Sequence, residues 1–153
     1  MSTTLEYTTT EPVPEPIAAQ IVEAARSLLP SRDWWAEPLS VAQNKQSKKL
    51  VGSTRLFLGD YSLPDGGYAT VSEDEEYLLV CADAKFIVAC LSEWSTEFNV
   101  PWRLGMDGHD VGDIIGGKPS TRLTELLDGL CSMSKLPPSD VPELLKKHAA
   151  RKR

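Results

Sequence analysis

The segment WRLGMDGHDVGDII, residues 102–115, constrains the fold more than any other stretch of the chain. Asp107-Gly108 is a strong hairpin turn signal, and apolar residues flank it on both sides. A two-residue loop places Leu104 opposite Val111 and Trp102 opposite Asp113. A three-residue loop places Trp102 opposite Ile114 and Arg103 opposite Asp113. The second register pairs opposite charges and matches apolar neighbours, so it is favoured. The sheet therefore contains at least one antiparallel pair.

The elements around this hairpin follow from periodicity. Upstream, Ile87, Leu91, Trp94 and Phe98 recur on one helical stripe, with Asp83 as N-cap and Asn99 and Pro101 as the stop. Before that helix (84–98), TRLFLGDY, GYATVS and EYLLVCA read as three strands joined by SLPDGG and SEDEE. Such short connections favour antiparallel neighbours. Pro16, Ile17, Ile21, Ala24 and Leu28 mark an earlier helix that Pro30 ends. Downstream, Ser120 or Thr121 starts a helix with Leu123, Leu126, Leu127 and Leu130 on its apolar stripe. Asp140 and Glu143 approximate a capping box for a last helix. The expected order is α-β-β-β-α-β-β-α-α, an α+β domain with a mainly antiparallel sheet of about five strands. Residues 1–14, rich in Thr, Glu and Pro, read as a flexible segment, 15–145 as one domain and 146–153 as a basic tail. Residues 31–52 show no sustained period.

Composition narrows the functional classes. The 153 residues are 41% hydrophobic and 25% charged, which fits a folded domain. The longest apolar runs, YLLVCA and FIVACL, fall far short of the roughly 20 residues a membrane helix needs. The N-terminus has neither a basic start nor an apolar block, so the expected location is cytoplasmic. Cys81, Cys90 and Cys131 are odd in number and widely spaced, and read as buried reduced thiols. Five of the 16 basic residues lie in the last eight positions, leaving 11 basic against 22 acidic groups in residues 1–145. Such an acidic body repels nucleic-acid phosphates and attracts basic partners.

GMDGHDVGDIIGGKPS, residues 105–120, resembles the sites of three chemistries. A calcium loop begun at Asp107 puts Gly112 at its sixth position but Lys118 at its twelfth, where a bidentate carboxylate is required. GDIIGGK matches a phosphate-binding loop, yet Pro119 stands where a hydroxyl must meet magnesium. Weaker anion binding by Lys118 and the following helix N-terminus stays open. His109 with Asp107, Asp110 or Asp113 is a poor transition-metal set, because a hairpin sends alternate residues to opposite faces. No metal and no cofactor is expected.

Recognition features are richer. Glu73, Asp74, Glu75 and Glu76 form a compact acidic run, and Asp107, His109 and Asp110 form a second acidic knob at the hairpin tip. Together they suit a docking surface for a basic protein. Trp34 and Trp35 are adjacent, so an extended backbone turns one inward and the other outward. Trp35 is the candidate interface anchor.

The order of the pieces resembles class I type III secretion chaperones: helix 16–29, strands near 54–60, 67–72 and 77–82, helix 84–98, strands near 102–106 and 110–115, and helix 119–131. That resemblance implies a cytoplasmic, homodimeric protein that binds effector segments without chemistry. The extra C-terminal helix and the long 31–52 segment depart from it. LSEWSTEFNVPWRLGMDGHDVGDI also looks like the helix-to-hairpin unit of small bacterial cytoplasmic proteins, including toxin-neutralising immunity proteins. The expectation is a non-enzymatic module that occludes a basic partner, with an immunity protein preferred and a secretion chaperone next. A small enzyme or ligand-binding domain using carboxylates near the 107–113 hairpin is the alternative class.

Overall fold

The computed structural model describes residues 3–149 and 151. In chain order the elements are β1 (Thr4–Thr9), α1 (Glu15–Ser27), β2 (Ala42–Gln43), β3 (Leu50–Arg55), β4 (Tyr61–Ser62), β5 (Tyr68–Ala69), α2 (Glu73–Phe98), β6 (Trp102–Met106), β7 (His109–Ile115), β8 (Lys118–Pro119), α3 (Thr121–Ser132) and α4 (Val141–Lys147), with a 3-10 turn at Pro138–Asp140. The expected class holds: a single α+β domain with an antiparallel sheet. The sheet has six strands in the order β2-β3-β1-β6-β7-β8, and β4 and β5 form a separate two-stranded ribbon.

The N-terminal segment corrects the expectation of mobility. Leu5, Tyr7 and Thr9 alternate with Thr4, Glu6 and Thr8, and the first set is buried. This period-two pattern of β-branched and aromatic residues suits a strand, although the Thr-rich composition masks it. β1 pairs with β3 on one side and β6 on the other. A central strand buries its backbone polar groups in two ladders, so these residues are among the most constrained in the fold.

The second correction concerns residues 73–82. The run expected as an acidic turn and a third strand is the first half of the 26-residue helix α2. Its N-cap is Ser72, whose hydroxyl accepts the Glu75 N–H at 3.2 Å and donates to the Glu75 carboxylate at 2.8 Å. Ser-x-x-Glu is the capping-box spacing, and four carboxylates in the first turn complement the helix dipole. Asp83, expected as the N-cap, lies mid-helix and buried. Asn99 ends the helix in a left-handed conformation, φ 54°.

The hairpin forms as expected, by a route that joins the two registers. Its tip is two residues, Asp107 and Gly108, both at positive φ (51° and 85°). Trp102 still faces Ile114, and Arg103 faces Asp113, because a bulge between Leu104 and Gly105 shifts the ladder. The glycines that imitate a phosphate loop have packing reasons. A side chain on Gly117 (φ 80°) would collide with the Thr96 hydroxyl on α2. One on Gly112 (φ 135°) would meet the start of α3, lying 2.9 Å from the Leu123 Cβ.

The core lies between the sheet and the helices. Leu5, Tyr7, Leu50, Trp102, Leu104 and Ile114 meet Ile21, Ile87, Leu91, Trp94, Leu123 and Leu127. On the opposite sheet face Glu6, Ser53, Arg55 and Arg103 are exposed. This division of faces is the usual one for antiparallel sheets.

Cys81 and Cys131 form a disulfide between α2 and α3, which corrects the expectation of three reduced thiols. Wide sequence spacing hid it, because the helix pairing that brings the two together is tertiary. Cys90 is free and buried, and burial, helped by Glu93, pushes its thiol up to about 11. The disulfide closes a loop of sequence separation 50. In the chain-entropy account it stabilises the fold by about 4 kcal/mol. Urea titrations of the wild type and of a Cys81→Ser/Cys131→Ser double variant are expected to differ by that order. Reductant should lower the wild-type midpoint and leave the variant's unchanged.

Candidate functional site

Asp83 organises the segment that the sequence left without a period. Its carboxylate accepts the backbone N–H of Trp35 at 2.9 Å and of Ala36 at 2.7 Å, and an Arg32 N–H at 2.8 Å. Burial pushes the Asp83 carboxyl up, against the opposing pull of the Ala36 N–H and of Arg32. The Arg32 guanidinium lies over Trp34 and Phe86, at 4.9 Å and 4.1 Å from the ring centroids. Residues 34–36 are thereby fixed in an irregular conformation against α2. Trp35 is therefore 1% exposed and Trp34 8%. The expected outward anchor points inward, because the strand alternation that required one exposed indole does not exist here.

Beside this segment opens a cleft of about 850 Å³. Trp34 and Trp35 line one part of it, and Phe57 after β3, Tyr61 in β4 and Tyr68 in β5 line another. Tyr61 packs edge-on to Trp35, and Phe57 edge-on to Tyr77. Tyr68 is 76% exposed. Three carboxylates border the cleft, and each is held by a backbone amide. Glu37 accepts from the Arg55 N–H at 3.1 Å, Glu76 from the Gly59 N–H at 3.1 Å, and Asp60 from the Val71 N–H at 3.1 Å.

Under the cleft runs a buried polar chain. The Tyr61 hydroxyl hydrogen-bonds His148 Nδ1, and His148 Nε2 lies 3.2 Å from the Glu75 carboxylate. An ionised carboxylate only accepts, so Nε2 carries the proton toward Glu75, and Nδ1 of the neutral tautomer takes the tyrosine O–H. Lys147 Nζ donates to the same Glu75 oxygen at 2.9 Å. Burial alone would raise the Glu75 carboxyl; hydrogen bonds from Lys147, Ser72 and His148 outweigh it and hold the group at about 2. His148 is 3% exposed, although it lies in the stretch expected as a basic tail. Its Nδ1 is spent on Tyr61 and its Nε2 on Glu75, so this chain fastens α4 to α2.

Arg151 completes the cleft. Its guanidinium lies 4.9 Å above the Trp35 ring and donates to the carbonyl oxygens of Trp34 and, at 3.3 Å, His148. Burial lowers its basicity, against Asp83, Tyr61 and Asp33. Ala150, Lys152 and Arg153 of the expected basic tail lie outside the described residues.

The acidic run does not act as one patch. Glu73 is exposed, and Asp74 accepts the Lys135 N–H at 3.0 Å. Glu75 is interior and Glu76 borders the cleft. In the hairpin, Asp107 accepts the Thr4 N–H at 2.9 Å, which ties the tip to β1. His109 and Asp110 edge a shallow groove of about 350 Å³ on the outer sheet face, together with Glu6, Val51 and Arg103. Trp35 and Glu76 are thus brought to one concavity, and His109 and Asp110 to another. Tyr61, Tyr68, Asp83, His148 and Arg151 were missed. Only Asp83 carried a signal: a lone carboxylate inside the apolar run YLLVCADAKFIVACL.

Among the described residues, no group of three or more His, Cys, Asp or Glu is placed to hold a metal ion, and no helix is long and apolar enough to cross a membrane. The chain matches no family model, no curated protein and no solved structure.

Glu75 makes a test of the polar chain. Its folded value of about 2 lies below the ordinary 4.5. Such a carboxyl stabilises fully above the ordinary value and loses that contribution as pH falls toward the folded one. The contribution is about 3 kcal/mol. Stability measured by denaturant titration should therefore fall between about pH 4.5 and about pH 2 in the wild type. The fall should be smaller by that amount in Glu75→Gln. Asp83 is present in both proteins and cancels in the difference.

Proposed function

We propose that this chain is a non-enzymatic protein-binding module that occludes a basic segment of a partner, and that the aromatic cleft is its seat. The observation that carries this reading is the guanidinium already lying on Trp35 at 4.9 Å. An indole face attracts a cation through its quadrupole, more strongly where water is excluded. Around that seat the cleft offers Tyr68, Glu37, Asp60 and Glu76. An exposed aromatic next to carboxylates suits an arginine or lysine side chain. The acidic body, with 11 basic against 22 acidic groups in residues 1–145, steers basic partners at long range.

Within this class we propose toxin neutralisation in preference to delivery of a secreted effector. The bordering carboxylates are held by backbone amides and the rings pack edge-on. A site organised in advance loses little entropy on binding and suits a fixed surface of a folded partner. The order α-β-β-β-α-β-β-α, on which the chaperone resemblance rests, also changes, since β1 precedes α1 and residues 77–82 are helical.

The probe is a hexa-arginine peptide, with hexa-glutamate as control, titrated calorimetrically. Hexa-arginine should bind and weaken with added salt, and hexa-glutamate should not. Tyr68→Ala, which removes an exposed ring, should weaken binding about tenfold at unchanged thermal stability. Equal affinities for wild type and Tyr68→Ala would remove the cleft from consideration.

A further inference from the structure

The C-terminal segment is the part of the chain that chemically resembles the proposed partner. Three side chains within five residues reach back to the body, two of them cations, Lys147 and Arg151. Lys147 pairs with Glu75 at 2.9 Å, and His148 lies against Trp35 and Tyr61, with ring centroids at 5.4 Å and 5.6 Å. Arg151 covers the indole face of Trp35.

The two ends of this strap are held differently. His148 is 3% exposed and bonded at both ring nitrogens. Arg151 is half-buried, and its hydrogen bonds go to the carbonyl oxygens of Trp34 and His148. A guanidinium bonded to neutral carbonyls is held less firmly than one paired with a carboxylate. His148 is therefore a fixed point, and Arg151 is the end that can leave.

Resting on the cleft as a cation seat, we propose that Arg151 is a tethered stand-in for the partner, and that the partner seats its own arginine on Trp35 by displacing it. Leaving the cleft does not require α4 to detach, because Lys147 and His148 stay on Glu75. A segment three residues beyond a fixed point has a high effective concentration at its seat. The free protein is then largely closed, and a partner's apparent affinity is reduced by the fraction of time the seat is open. A weak or wrong cation would not clear this threshold, so the strap also sharpens selectivity.

The full-length wild type, Arg151→Ala, Arg151→Gln and Arg55→Gln are titrated with hexa-arginine while tryptophan fluorescence is followed. Arg55 borders the same cleft without lying on Trp35, and pairs with Glu37 at 3.7 Å, so its variant reports what removing a cleft cation and freeing a cleft carboxylate contribute while Arg151 stays on the indole. Both Arg151 variants should bind about tenfold tighter than wild type, as expected when the seat is open roughly a tenth of the time. Arg55→Gln should gain clearly less. If the Arg151 variants bind no tighter than wild type, or gain only what Arg55→Gln gains, the stand-in is overturned while the cleft reading survives. If no protein of the four binds hexa-arginine, both are overturned.

Discussion

The carboxylate of Asp83 is the interaction on which the shape of this molecule turns. A carboxylate buried in the middle of a long helix is costly unless its oxygens are satisfied. Here two backbone amides and a guanidinium satisfy it, and all three donors come from residues 32–36. The constraint runs both ways. The helix needs those donors, and the segment, lacking a ladder or helix of its own, needs that acceptor. With residues 32–36 so fixed, Trp34 and Trp35 cannot turn outward, and the cleft acquires its indole wall.

The second anchor on α2 is Glu75, about two turns before Asp83. Ser72 caps the helix through it, and α4 is fastened to it by Lys147 and His148. One carboxylate thus positions the start of α2 and the end of the described chain. Its lowered pKa follows from that convergence of donors, which outweighs burial. The aromatic cleft lies between the Asp83-anchored segment and the Glu75-anchored C-terminus, with the β4–β5 ribbon supplying Tyr61 and Tyr68. Rings and carboxylates of this kind suit the proposed contact with another protein's cations.

How much of this is legible in the sequence depends on the range of the interactions. The hairpin at Asp107-Gly108, the stripe Ile87–Leu91–Trp94–Phe98 and the cap at Ser120 are local, and each forms as its residues imply. The misreading of EYLLVCA as a strand has a physical cause. A short, wholly apolar run has no period to separate buried strand from buried helix. The missed Ser72–Glu75 spacing was the local sign that decides between them. At the N-terminus a β-alternation was present in Leu5, Tyr7 and Thr9, obscured by a composition that elsewhere accompanies mobile ends.

The sequence by itself determined the class of the fold, the hairpin and the helices flanking it, and the acidic charge of residues 1–145. These rest on turn chemistry, periodicity and charge, which act within a few residues or depend on totals. Only the tertiary structure decided that Cys81 meets Cys131, that Trp35 turns inward, and that Tyr61, Glu75 and His148 join beneath a cleft closed by Arg151. Each of these contacts spans about 50 or more residues of chain. Contacts at that range are set by how the helices and sheet bury their apolar faces together, and no local pattern encodes them.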